Sequence, residues 1–205
     1  HGIDVGSAEP DPDARARVRS DLGVADDEVL GITVANLRRN KDYPNLLRAA
    51  KRANELEPRV RFIAVGQGPL ADDIATQHTE LGLGQVLQLL GYRRDISALM
   101  NASDMLVISS IHEGLPVVLM EAFAHGLPVV ATTVGGIPQA VTDGQEGILV
   151  PPSDSEALAD ALVEVAKDAE RRRTMGAAAR RRAADFDIRA AVATQQATYL
   201  ELRGA

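Results

Sequence analysis

The chain contains no cysteine and no tryptophan, and only three phenylalanines and three tyrosines in 205 residues. Without cysteine there is no disulfide framework and no thiolate metal site. With so few aromatics and a net charge of −7, the sequence lacks both the basic field and the stacking platforms that nucleic-acid binding uses. Nucleic acid is therefore not an expected partner. No apolar run approaches the roughly 20 residues of a membrane-spanning helix, and the first residues carry no signal-peptide pattern, so a cytoplasmic protein is expected. The four histidines are scattered, His78-x-Glu80 is too sparse for ligation, and no acidic cluster is placed to hold a divalent ion. No metal site is expected.

What is present is an ordinary globular composition, 45% hydrophobic and 25% charged, in a length that makes one domain with its own core. From about Val29 onward, strand-like and helix-like segments alternate, the pattern of parallel βαβ units. Strands are expected at Val29–Ala35, Arg61–Gly66, Val86–Leu90, Asp104–Ser109, Pro128–Thr132 and Gly147–Val150. Helices are expected at Pro44–Leu56, with Leu46, Leu47, Ala50 and Ala53 on one side, and at Leu70–Leu81, ended by Gly82. Ser153 and Glu156 have capping-box spacing for a helix reaching about Lys167. A basic helix follows from Glu170, then an amphipathic segment over about 188–203. The fold class expected is α/β, a Rossmann-like parallel sheet with helices on both faces.

The most informative stretch is Ser110–Ile111–His112–Glu113–Gly114–Leu115–Pro116, continuing through Val117–Met120 to Glu121–Ala122. A strand ends, a short polar loop carries Glu113 and Gly114, and a buried helix begins, with Pro116 suited to its first turn. In an open α/β sheet, ligands bind outside the carboxyl ends of strands, where helix N–H groups can meet an anion. Glu113 can accept hydrogen bonds from ligand hydroxyls there. Glu121 lies a turn or more deeper among apolar neighbours and needs partners to offset its burial. Taken singly, Glu113 reads as an acid at a helix end and Glu121 as a salt-bridged core acid.

The whole pattern resembles the retaining glycosyltransferases of family 4. The pair E-x7-E stands in S-x-x-EG-L-P-x-x-x-x-EA-x-A-x-G-x-PVVAT, followed in order by Gly135–Gly136–Ile137–Pro138, Asp143–Gly144, Gly147 and Leu149–Pro152. Upstream the match reaches Val65–Gly66–Gln67–Gly68–Pro69 and Leu90–Gly91–Tyr92–Arg93–Arg94–Asp95–Ile96. The resemblance implies the nucleotide-sugar-binding, C-terminal half of a GT-B-type enzyme, with a core over about residues 27–182. His1–Gly2–Ile3–Asp4 resembles the N-G-[IV]-D segment after the domain crossing, with His1 where Asn is usual. This implies an acceptor-binding N-terminal domain that the chain does not include; the alternative is a naturally short protein.

By the same resemblance, Glu113 hydrogen-bonds the donor sugar and stabilises positive charge on its ring, and Glu121 accepts from the ribose hydroxyls. A UDP- or GDP-sugar is the implied donor, with no metal or other cofactor. The amides of Leu115, Val117 and Val118 are candidate phosphate donors beside Gly114. In the family, the loop after the first strand usually reads G-R-[LF]-x-x-x-KG; here Lys41 matches the lysine, Asn36 replaces the arginine and Asp42 the second glycine. Lys41, with Arg38 as stand-in for the missing arginine, is expected on the diphosphate; without the motif these are solvated loop charges. Tyr92 and Arg93 fall in the loop whose backbone meets the base in the family, although Tyr92 reads equally as a loop aromatic. Gly66 lies beside the donor in the same reading.

Two features point elsewhere. Gly66–Gln67–Gly68–Pro69–Leu70–Ala71 fits G-x-G-x-x-A after a strand, but Pro69 removes an amide needed near phosphate, and no acid follows the next strand to hold a ribose. Arg171–Arg173 and Arg180–Arg182 form arginine clusters that read as a solvated face, or as a patch for peripheral contact with an anionic membrane. A nucleotide-sugar epimerase, an NAD oxidoreductase on a similar sheet and a non-catalytic sugar- or nucleotide-binding module are the competing functions.

Overall fold

The computed structural model describes residues 8 and 11–188. Helix α1 (Pro12–Asp21) precedes β1 (Val29–Val34), and a 3₁₀ turn at Arg39–Lys41 leads into α2 (Tyr43–Leu56). Then come β2 (Val60–Val65), α3 (Ala71–Glu80), β3 (Leu87–Gly91), α4 (Ile96–Ala102) and β4 (Met105–Ile108). The chain continues through α5 (Val117–Ala124), β5 (Val129–Thr132), α6 (Ile137–Ala140), β6 (Gly147–Val150), α7 (Ser155–Lys167) and α8 (Ala169–Arg182).

All six strands run parallel in the order β3-β2-β1-β4-β5-β6, the Rossmann-like arrangement expected from the alternation. A parallel sheet is covered on both faces, so its strands are almost continuously apolar and alternate between two cores. Phe62, Ala64, Met105, Val107 and Val130 pack with α2 and α7 on one face. Leu30, Ile32, Ile63, Leu106, Ile108 and Ala131 pack with α4 and α5 on the other. A fully buried side chain of this kind stabilises the fold by about 1.5–3 kcal/mol.

Several local expectations need correction. Neither α1 nor α4 is expected from apolar spacing. Helix α1 carries almost no apolar stripe and is fastened electrostatically: Arg15 and Arg19 reach Asp104 at 2.6 and 3.1 Å, and Arg19 also donates to the carbonyls of Ala25, Glu28 and Ala102. The cap of α7 is Asp154, which accepts from the Ala157 amide at 2.9 Å. Ser153 instead adopts a left-handed backbone (φ 58°) and donates to Asp42. Pro116 sits one position outside α5, as its cap, with extended backbone. The segments 1–4 and 189–203 lie outside the described residues.

Candidate functional site

The order in which strands are added reverses between β1 and β4, and such a switch point opens a crevice at the carboxyl ends of the two strands. The loop after β1 runs through Asn36–Asp42, and the loop after β4 through Ser109–Pro116. Three hydrogen bonds seat one on the other: the Ile111 amide donates to the Asn40 carbonyl at 2.9 Å, Ser109 Oγ to the Lys41 carbonyl at 2.8 Å, and Asn40 Nδ2 to the His112 carbonyl at 3.3 Å. Asp42 then turns the chain with a left-handed backbone (φ 48°) and caps α2 through its side chain. An Asp tolerates this conformation better than most residues and supplies the cap as well. That accounts physically for Asp42 where the family pattern has glycine.

This seating brings Lys41 Nζ to 2.6 Å from Glu113 Oε1. Both side chains are mostly shielded, 18% and 9% exposed, so the contact is a partly desolvated ion pair and not a surface one. Ser110 Oγ donates to the same oxygen at 2.6 Å, which leaves Oε2 of Glu113 without a hydrogen-bond partner among the described residues. From the other side, Gly135 and Gly136 press against the loop: the Gly136 amide donates to the Gly114 carbonyl at 2.8 Å. A Cβ on Gly135 would lie 1.8 Å from the Glu113 carbonyl oxygen, so these two glycines are the close backing of the Glu113 loop.

A cleft of about 500 Å³ opens here, lined among others by Asn36, Lys41, Gly66, Tyr92, Arg93, Glu113, Val117 and Val118. Val117 and Val118 occupy the first turn of α5, whose N–H groups have no partner within a helix. Lys41, Gly66, Tyr92, Arg93, Glu113, Val117 and Val118 of the expected site residues thus share one cleft. Arg38, Gly114, Leu115 and Glu121 are not among its lining. Arg38 is exposed, and its side chain has no partner among the described residues. Gly114 and Leu115 lie exposed on the loop beside the cleft. Glu121 projects from α5 one turn beyond Val117 and Val118, half-buried, and among the described residues its side chain has no hydrogen bond or ion pair. The partner its burial called for is not found among the described residues, and burial pushes its carboxyl above the ordinary range.

Residues not singled out from the sequence also line the cleft, among them Ala35, Gln67 and Ile96. Ile96 opens the unexpected helix α4. Tyr92 remains 61% exposed at the cleft mouth, and Arg93 is held by a bidentate contact to Asp95.

The glycine-rich turn after β2 serves packing. Cβ atoms on Gly66 and Gly68 would collide with the backbone of Ala35 and Leu37, and Leu37 exchanges hydrogen bonds with Gln67 and Leu70. The arginines of α8 are mostly engaged by the chain itself. Arg171 pairs with Glu164, Arg172 donates to the last carbonyls of α7, Arg173 pairs with Glu170, and Arg182 pairs with Asp185. Among the described residues no group of three His, Asp or Glu side chains could hold a metal ion, and no helix is long and apolar enough to cross a membrane.

Residues 14–182 match the family described as glycosyl transferases group 1. The D-inositol 3-phosphate glycosyltransferase of Corynebacterium aurimucosum is 36% identical over 87% of this chain and 44% of its own length. The structure of Anabaena Alr3699/HepE in complex with UDP and glucose superposes with a TM-score of 0.89 at 28% identity, covering 98% of this chain and 55% of that one. The C-terminal domain of a group 1 glycosyl transferase, LpcC, from Francisella tularensis has the same fold (TM-score 0.79, 22% identity), covering 91% of this chain and 100% of that one. The chain spans about half the length of the curated relatives it matches. It belongs to the group 1 glycosyl transferases, in the Rossmann-like fold of the GT-B type.

Proposed function

We propose that this chain is the donor-binding half of a retaining glycosyltransferase that moves a hexose from a nucleoside diphosphate sugar to an acceptor held by a further, N-terminal domain. The observation that carries this reading is the meeting of Lys41 and Glu113 at the switch point, beside the open first turn of α5. One cation, one carboxylate with a free oxygen and a helix end with free N–H groups match the charges along a sugar diphosphate. The UDP and glucose named with the Anabaena relative support the same ligand class.

In this reading Lys41 and the amides of Val117 and Val118 take up the negative charge of the departing diphosphate. Arg38 adds charge from the loop, and no metal is called for. The bond from the sugar's anomeric carbon to the diphosphate oxygen breaks, and the electron pair leaves with the diphosphate. The acceptor hydroxyl oxygen bonds to the same carbon from the same face, and its proton passes to the departing diphosphate. Glu113 accepts from the sugar hydroxyls and stabilises the positive charge that develops on the ring. Glu121, whose side chain has no partner among the described residues, accepts from the ribose diol, whose two hydroxyls suit one carboxylate. The two glutamates are not a glycosidase pair, because a diphosphate leaves without strong acid assistance.

Calorimetry of the chain with UDP, GDP and NAD tests the reading. A nucleoside diphosphate is expected to bind weakly, with no transfer, because a cleft between two domains lacks one wall. Tight NAD binding with no response to either diphosphate would overturn it.

A further inference from the structure

Glu113 Oε1 accepts two hydrogen bonds, and the two donors differ in how firmly they are held. Lys41 is a flexible side chain whose ammonium can follow a stronger anion. Ser110 is 2% exposed, and its own carbonyl accepts from Oγ1 of the fully buried Thr132 at 2.6 Å. Its hydroxyl stands 2.6 Å from Glu113 Oε1, three residues away along one loop. The result is a chain of fixed groups, Thr132 to Ser110 to Glu113, running from the end of β5 into the cleft.

We infer that Ser110 is the positioning residue of the site: it holds the Glu113 carboxylate in place when Lys41 transfers its charge to a bound diphosphate. The inference rests on the donor-sugar reading of the cleft. If Lys41 alone oriented Glu113, ligand binding would release the carboxylate at the moment its free oxygen is needed by the sugar. Ser110 cannot be drawn away in that manner. It carries no charge, is shielded from the cleft's solvent, and is anchored through its backbone to a neighbouring strand. Ser110 does not touch the sugar; its effect passes through Glu113 Oε1 and is felt at Oε2.

The test compares Ser110→Ala and Ser110→Thr in two measurements. In ligand-free crystals of the Lys41→Ala chain, where the ion pair is gone, adding Ser110→Ala is expected to displace the Glu113 carboxylate or split it between rotamers, while adding Ser110→Thr keeps it. By calorimetry, Ser110→Ala is expected to weaken UDP-glucose about tenfold, the scale of one hydrogen bond to a charged group, while UDP alone changes less than about twofold. Ser110→Thr should retain the parent ratio of the two affinities. An unmoved Glu113 in the crystal carrying both Lys41→Ala and Ser110→Ala overturns the inference, as do equal losses for UDP and UDP-glucose. A parent chain that ignores both nucleotides sinks the donor-sugar reading, whereas the crystal comparison still decides what Ser110 does to Glu113.

Discussion

Lys41 Nζ and Glu113 Oε1 stand 2.6 Å apart although 72 residues separate them in the chain. They come from loops on opposite sides of the sheet's reversal point, so the fold uses its two halves to neutralise one site. In the donor-sugar reading, a diphosphate would compete with Glu113 for the lysine and bring more negative charge than the single carboxylate it displaces.

Lys41→Ala is therefore expected to weaken UDP or GDP binding by about 1–3 kcal/mol, the range for losing a hydrogen bond to a charged group. Arg39→Ala, at an exposed position outside the cleft lining, should change it far less. Calorimetry on both variants decides; equal losses would mean a diffuse basic surface in place of a specific contact.

The two glutamates should separate by role in an enzyme carrying both domains. Glu121→Ala is expected chiefly to lower nucleotide affinity, because ribose contacts persist in the ground and transition states alike. Glu113→Ala is expected to lower turnover by a factor on the order of 10²–10³, since it acts where charge develops. UDP carries no sugar, so its affinity should fall in the Glu121 variant but not in the Glu113 variant, where Lys41 is freed for the diphosphate. UDP binding lost in the Glu113 variant and kept in the Glu121 variant would reverse the assignment.

Glu121 also makes a pH-dependent prediction. Burial raises its carboxyl pKa in the folded chain, so the folded state binds this proton more tightly than the unfolded state does. The favourable contribution of the neutral form is complete below the unfolded carboxylate range and is lost as pH rises through the raised folded value. Ionised Glu121 is then a local cost at neutral pH. Glu121→Gln should melt higher than the parent at neutral pH, and the gain should vanish toward about pH 4, near the ordinary glutamate value. Thermal denaturation across that range measures it; a gain independent of pH would assign the effect to packing.

Gly135→Ala should damage the site from behind. The position has φ +56° and a Cβ there would meet the Glu113 carbonyl oxygen at 1.8 Å. Backbone strain of this kind costs of order 1–3 kcal/mol before any displacement of the loop. A lower melting temperature together with weaker UDP-sugar binding is expected. A variant that melts lower yet binds UDP-glucose like the parent would show that the Glu113 loop does not depend on this backing.

Much of the fold was legible because a doubly covered parallel sheet writes its strands as apolar runs: Val107 and Ile108, or Val129 to Ala131, have few other uses. Helix α1 was not legible because Arg15 and Arg19, not an apolar stripe, attach it. Helix α4, seven residues over Ile96–Ala102, is too short to establish a period. The α7 cap was misplaced by one residue because Ser153 and Asp154 are both good capping types, and the left-handed turn at Ser153 decides between them. At the site, motif spacing pointed to Lys41 and Glu113. It could not reveal that they touch, since that depends on loops brought together from distant parts of the chain, nor that the Glu121 side chain has no partner among the described residues.

The junction of β1 and β4 is the shortest ladder in the sheet, pairing only Gly31 with Met105 and Ile32 with Leu106. Below it, Asp104 ties the strands: its amide donates to the Leu30 carbonyl at 2.7 Å and its carboxylate accepts from the Leu30 amide at 2.8 Å and from Arg15 and Arg19. Above it, the two loops are joined by the Ile111–Asn40, Ser109–Lys41 and Asn40–His112 hydrogen bonds and by the Lys41–Glu113 ion pair. The seam between the two halves of the sheet is thus riveted at one end and buttoned at the other. In the donor-sugar reading, a ligand that draws Lys41 away undoes the button and leaves the rivet and the loop hydrogen bonds in place.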